Sequence, residues 1–156
     1  MLEVSIPGFG SLRLRHLVLD YNGTLAVDGT MLPGVGKRLR ALSRVLEIHV
    51  VTADTFGTAR RALSRLPCTV TLLAQGAQDR AKRAYVERLG AGRTVCIGNG
   101  RNDRLMLRVA ALAIAVIEKE GGAASALSAA DVVARGITDA LDLLKKPRRL
   151  VASLRS

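Results

Sequence analysis

The stretch "HLVLDYNGTLAVDG", residues 16–29, decides how this chain is read. Leu17, Val18 and Leu19 run straight into Asp20, and Asn22, Gly23 and Thr24 follow as a tight turn. An apolar strand that ends on a carboxylate beside a sharp turn sets a charged group at the rim of a sheet, where it can meet a ligand. The residue two positions on, Asn22, is an amide. It cannot pass a proton to a leaving group as a second acid would.

Working outward, strand and helix patterns alternate along the chain. Residues 2–6, "LEVSI", read as a strand, "PGFG" as a turn and residues 11–20 as one longer alternating strand, which together make an N-terminal β-hairpin. Residues 34–46 place Val35, Leu39, Leu42 and Leu46 at helical spacing. Strands are then predicted over 47–53, 68–73, 93–98, 112–117 and 131–134. Helices are predicted over 55–66, stopping before Pro67, over 77–90, closing on Gly90, and over 102–111, 122–130 and 137–146, before Pro147. The tail, 148–156, reads as one more short helix.

Such alternation predicts parallel β-α-β units: an α/β fold of three layers, α/β/α, Rossmann-like, with a central, mostly parallel sheet. With no linker or repeat, residues 1–156 are expected to form a single domain. Ligands of open α/β sheets bind outside the carboxyl ends of the strands. The polar residues that follow predicted strands are Asp20, Thr52, Asn99 and Asp103, so one edge of the sheet collects the chemistry.

The composition narrows the function classes. Lys and Arg number 24 against 13 Asp and Glu, a net charge of +11, which favours anionic ligands. The charge recurs on every predicted helix, and aromatic residues are 3% of the chain, so platforms for stacking single-stranded nucleic acid are missing. A basic solvated surface is the favoured reading and a nucleic-acid footprint the lesser one. The longest apolar run, residues 109–117, is too short to span a bilayer, and the N-terminus has no secretory pattern. Two cysteines, Cys68 and Cys96, suit a reduced protein without a disulfide framework. These features predict a cytoplasmic protein. His16 and His49 stand at strand starts, opposite the site, and are expected to be structural.

Four segments then carry a resemblance. "LVLDYNGTL" resembles motif I of the haloacid dehalogenase (HAD) superfamily, an apolar strand followed by D-x-D-G-T. "VVTAD" resembles motif II, "AQDRAKRAYVERLG" supplies the motif III lysine as Lys82, and "IGNGRNDRLML" resembles motif IV, G-D-G-x-N-D. They occur in the superfamily's order between about residue 16 and residue 135. "TADTFGTARRAL" and "GNGRNDRLML" are also similar to P-type ATPase phosphorylation domains, and the nearest match is the small, soluble P-type ATPase-like group. Only about thirty residues separate Asp20 from Thr52, and a similar number Thr52 from Lys82, so the resemblance implies a capless member. In that fold Cys68 and Cys96 would lie three strands apart, roughly 14 Å, too far for a disulfide.

The resemblance implies a hydrolase, a Mg²⁺-dependent phosphatase or phosphoryl-transfer enzyme acting on a phosphorylated substrate. Asp20 would be the nucleophile and form an aspartyl-phosphate. Mg²⁺ would be held by Asp20, the backbone carbonyl of Asn22, Asn99 and the second carboxylate, Asp103. Thr52 would hydrogen-bond a phosphoryl oxygen. Lys82 would neutralise the phosphoryl group, unless the neighbouring Arg80 or Arg83 takes that part. Gly23, Thr24, Ala53, Asp54 and Arg101 are the candidate substrate-binding residues; Asp54 has an equal reading as a helix cap, and for Arg101 the reading as an exposed loop residue is the favoured one. With Asn22 in place of the usual acid, turnover should be slow or selective. The alternative is a catalytically weak regulatory domain that binds phosphate or nucleic acid. A homo-oligomer, in which a neighbouring subunit serves as the lid, stays open.

Overall fold

The computed structural model describes residues 1–54 and 57–156. Six strands form one parallel sheet in the order β10-β9-β8-β3-β6-β7. They are β3 (His16–Leu19), β6 (Glu47–Thr52), β7 (Thr69–Leu72), β8 (Thr94–Gly98), β9 (Leu112–Val116) and β10 (Val132–Ala134). β3, whose four residues are all buried, is a central strand, paired with β6 on one side and β8 on the other.

Alternation along the strands divides the core in two. Leu17, Leu19, Ile48, Val50, Val95, Ile97, Leu112 and Ile114 face one layer. There they meet α1 (Val35–Leu42) through Val35, Leu39 and Leu42, α2 (Thr58–Leu63) through Ala59 and Leu63, and α6 (Ile137–Lys145) through Ile137, Ala140, Leu141 and Leu144. Val18, Val51, Cys96 and Ala113 face the other layer, with Val86 of α3 (Gln78–Leu89), Met106 and Leu107 of α4 (Arg104–Val109), and Ala126 of α5 (Ala124–Ala129). Strands that are apolar on both faces and carry helices on both sides account for a wholly parallel sheet. Arg38 on α1 makes a two-pronged ion pair with Asp142 on α6, at 3.0 and 2.9 Å, which ties the two helices together.

Two local differences from the sequence reading matter. The strand expected over 11–20 is two strands, β2 (Gly10–Leu14) and β3. β2 pairs with β1 (Leu2–Ile6) as the antiparallel hairpin, and α7 (Arg148–Leu154) packs on β1. At Arg15 the chain passes to new partners: its N–H donates to the Arg93 carbonyl at 2.8 Å and its carbonyl accepts from Glu47 N–H at 2.9 Å. The alternating pattern runs on unbroken while the partner strand changes. The second difference is a small hairpin, β4 (Ala26–Val27) and β5 (Thr30–Met31), between β3 and α1. Its turn is Asp28-Gly29, both at positive φ (51° and 78°), as a two-residue hairpin requires. The Tyr21 hydroxyl donates to the Gly29 carbonyl at 3.1 Å and holds this hairpin beside the strand end.

Helix α2 begins at Thr58, while the helix was expected from residue 55; Thr55 and Phe56 lie outside the described residues. α1 closes at Leu42, and Leu46 is still buried with its helix neighbours. Among the described residues, no helix is long and apolar enough to cross a membrane.

Candidate active site

The chain runs from β3 to β6 and β7 on one side of the sheet and then crosses to β8, β9 and β10 on the other. Strand order therefore reverses between β3 and β8, and a crevice opens at their carboxyl ends. Asp20 follows β3 and Asn99 follows β8. A cavity of about 310 Å³ lies there, lined by Asp20, Asn22, Thr52, Ala53, Asp54, Thr58, Gln78, Lys82, Asn99, Gly100 and Asn102.

At its floor an ammonium lies between two carboxylates. Lys82 Nζ is 2.6 Å from Asp20 Oδ1 and 2.7 Å from Asp103 Oδ1. Lys82 is 1% exposed and Asp103 0%. Arg80 and Arg83 are exposed, so Lys82 is the side chain of the three that reaches the site. Its position on α3 explains this: Val86, four residues on, is the other buried residue of that helix, so both lie on the face packed against the sheet. Burial opposes the Lys82 charge, but Asp20 and Asp103 outweigh it and raise its pKa above the ordinary lysine value. Burial pushes the Asp20 carboxyl up to about 6; Asp103 pushes the same way, and Lys82 pulls against both.

Hydrogen bonds fix the remaining groups. The Thr24 hydroxyl lies 3.3 Å from Asp20 Oδ2 and 3.1 Å from Asn99 Oδ1, so it spans the two strand ends. The Asn99 amide N–H donates to the Gly121 carbonyl at 3.1 Å, which turns its oxygen toward Thr24 and Asp20. Asp103 Oδ2 accepts the backbone N–H groups of Asn99 (3.0 Å) and Gly100 (2.9 Å). Gly98 makes room for this: a Cβ there would come within 2.6 Å of the Asp103 carboxyl carbon. Gly23 has φ +80°, and a Cβ on it would collide with the Asn99 side chain.

Most of the predicted site residues meet here, with differences in what they do. Asp20, Asn22, Thr52, Ala53, Asp54, Lys82 and Asn99 line the cavity. Thr24 is buried just behind it. Asp103 also stands behind, its Oδ1 accepting from Lys82 and its Oδ2 from the loop amides. Asp54 caps α2: its carboxylate accepts N–H groups from Ala59 (2.8 Å) and Arg60 (3.2 Å), and its own N–H donates to Thr52 Oγ1 at 3.3 Å. Arg101 is exposed and faces a neighbouring shallow depression instead. The sequence reading missed Gln78 and Asn102, joined at 3.1 Å on one wall, and Thr58. Asn102 sits inside the "GNGRND" loop and could have been found there, whereas Gln78 has no local signal.

A divalent cation fits this donor set. Asp20 and Asp103 share one ammonium, so the buried cluster keeps an unbalanced negative charge. Asp20 and the Asn99 amide oxygen converge through Thr24, next to the Asn22 segment. Oxygen donors with one or two carboxylates are what Mg²⁺ takes from a protein.

A carboxylate, a lysine and a hydroxyl thus meet at the switch point of an open parallel sheet, the place where α/β folds of this kind bind their ligands. This chain has the HAD fold. It superimposes on 3-deoxy-D-manno-octulosonate 8-phosphate phosphatase from Moraxella catarrhalis, solved with magnesium, phosphate and the sugar acid, with a TM-score of 0.68 and 17% identity over 91% of this chain and 94% of that one. The cobalt-bound enzyme of Haemophilus influenzae gives 0.71 and 14% over 92% and 94%. A protein assigned to the HAD family from Streptomyces avermitilis gives 0.67 and 20% over 91% and 84%. No protein-family model matches the chain. In sequence it is similar to two uncharacterized proteins of Methanocaldococcus jannaschii. One is 46% identical over 61 residues, 39% of this chain but only 66% of that protein's length. The other is 46% identical over 39 residues, 25% of this chain and 89% of that protein.

Proposed function

We propose that this chain is a Mg²⁺-dependent phosphatase working through an aspartyl-phosphate on Asp20. It would be a capless, single-domain member of the HAD superfamily, close to the P-type ATPase-like group. The observation that carries the reading is Asp20 itself: a buried carboxylate at the switch point, held by Lys82 and Thr24 at the wall of a polar cavity. The phosphatases that share the fold make a phosphorylated substrate the natural partner.

In this reading an Asp20 carboxylate oxygen forms a bond to phosphorus as the ester P–O bond breaks. Lys82 offsets the charge that gathers on the phosphoryl group, and the Thr52 hydroxyl donates to one of its oxygens. Asp20, the Asn22 carbonyl and Asn99 would hold Mg²⁺, with Asp103 acting beside them as the second carboxylate. When bound, the ion lowers the repulsion between the anionic nucleophile and the anionic substrate. Water then cleaves the acyl phosphate and releases inorganic phosphate. Asn22 supplies no proton, so the leaving group departs unassisted by that residue. The enzyme should therefore favour phosphates with good leaving groups and be slow on alkyl phosphates.

The test is hydrolysis of p-nitrophenyl phosphate by the full chain with Mg²⁺. Wild type should turn over, chelation should stop it, and Asp20→Asn should abolish it. Turnover that survives Asp20→Asn would sink the assignment. A chain that binds inorganic phosphate but turns over neither substrate type would be the weak regulatory domain, which the two amides at Asn22 and Asn99 favour.

A further inference from the structure

At the opposite end of the sheet, another cluster of ligating side chains comes together. The parallel register sets His16 of β3 against Glu47 of β6, and His49, two residues on, falls on the same face. His16 Nδ1 lies 3.3 Å from His49 Nε2 and 3.3 Å from Glu47 Oε2, and the three ligand atoms lie within 4.8 Å of one another. Both imidazoles are buried, while Glu47 stands exposed at the rim. A separation of 3.3 Å is long for an N–H hydrogen bond. For these two pairs it is the spacing of ligands around a tetrahedral zinc ion, since donors about 2.0–2.1 Å from such an ion stand roughly 3.3–3.4 Å from each other.

We propose that His16, Glu47 and His49 form a Zn²⁺-binding site at the amino ends of β3 and β6, separate from the Asp20 site. The surroundings suit it. His49 Nδ1 is 2.9 Å from the Tyr85 hydroxyl, which a further 3.3 Å contact ties to Thr71; an Nδ1–H donated to Tyr85 leaves Nε2 bare for the ion. Glu47 Oε1 accepts from Arg15 Nε at 3.2 Å, which orients the carboxylate and leaves Oε2 toward His16. The Arg15 charge weakens affinity without blocking the site. Two nitrogen donors select zinc-like ions over Mg²⁺, so the two ends of the sheet discriminate between metals by donor chemistry. Solvent at the Glu47 rim supplies the fourth ligand.

The experiment uses the full chain without a polyhistidine tag, with Mg²⁺ in excess, titrated with Co²⁺. An equimolar amount should produce visible d–d absorption well above that of Co²⁺ in buffer, and Zn²⁺ should displace it. Asp20→Asn should leave this signal intact. His49→Gln and Glu47→Gln should lose it, and Tyr85→Phe should weaken the affinity about 10–100-fold. Glu47 is exposed, so Glu47→Gln tests the site even where a histidine variant fails to fold. A wild type without the absorption, or absorption that survives Glu47→Gln in folded protein, overturns the proposal and leaves His16 and His49 as a plain hydrogen-bonded pair.

Discussion

Replacing Asp20 by Asn should stabilise the metal-free protein, and the size of the gain follows from the site. Asp20 is buried and faces Asp103, and together these raise its pKa from 3.8 to about 6 against the opposing pull of the Lys82 that the two share. A carboxyl whose folded pKa lies above its unfolded value contributes stability below about pH 4, and this is lost as the pH rises through 6. At about 1.4 kcal/mol per pH unit between the two values, the ionised group costs roughly 3 kcal/mol at pH 8. The amide resembles the protonated acid, can still accept from Lys82, and can donate its N–H to the Thr24 hydroxyl in place of the Oδ2 contact. In a chain of this size roughly 3 kcal/mol corresponds to about 6–12 °C in melting temperature. Thermal melts of both proteins in chelator, from about pH 4 to pH 8, should show the Asp20→Asn variant to be the more stable at pH 8 and the two converging toward pH 4. Mg²⁺ at pH 8 should raise the melting temperature of the wild type and not that of the variant. A variant that melts lower at pH 8, or by an equal margin at every pH, would refute the reading of Asp20 as an uncompensated buried charge.

Asn22→Asp should raise hydrolysis of alkyl phosphates, by up to about 10²–10⁴-fold if the acid is fully restored, with a much smaller gain on p-nitrophenyl phosphate; steady-state rates on both substrates check this. Gly98→Ala should push Asp103 off the loop amides and lower both the melting temperature, by a few degrees, and the Mg²⁺-dependent activity, while Gly92→Ala, whose added Cβ meets nothing within 4 Å, should change neither. Asp142→Asn should cost about 1 kcal/mol at neutral pH in denaturant titrations. The Arg38 hydrogen bonds lower the Asp142 pKa from its ordinary 3.8, so this contribution is present above about pH 4 and fades as the pH falls through the lowered value.

Much of the fold was legible locally. Continuous apolar runs marked the strands of a sheet covered on both faces, and Gly90, Pro67 and Pro147 marked where helices stop. Asp20, Thr52 and Asn99 could be placed at one edge because each directly follows such a run, and a sheet that is parallel throughout presents all those ends on one side. Lys82 could be singled out only through its place in the motif order, since Arg80 and Arg83 are equal to it in charge. The Asp28-Gly29 pair is itself a local hairpin signal.

What the sequence determined by itself, then, is the order of elements and the chemical groups at the strand ends, because hydrophobic period and turn chemistry act over a few residues. Only the tertiary structure decided which cation is desolvated between Asp20 and Asp103, why Asp103 stands behind that cation while Asn99 faces the cavity, and where the hairpin yields to the sheet at Arg15. It also decided that His16, Glu47 and His49 meet. These depend on register between strands distant in sequence and on burial, and both are set by the packing of the whole sheet between its helices.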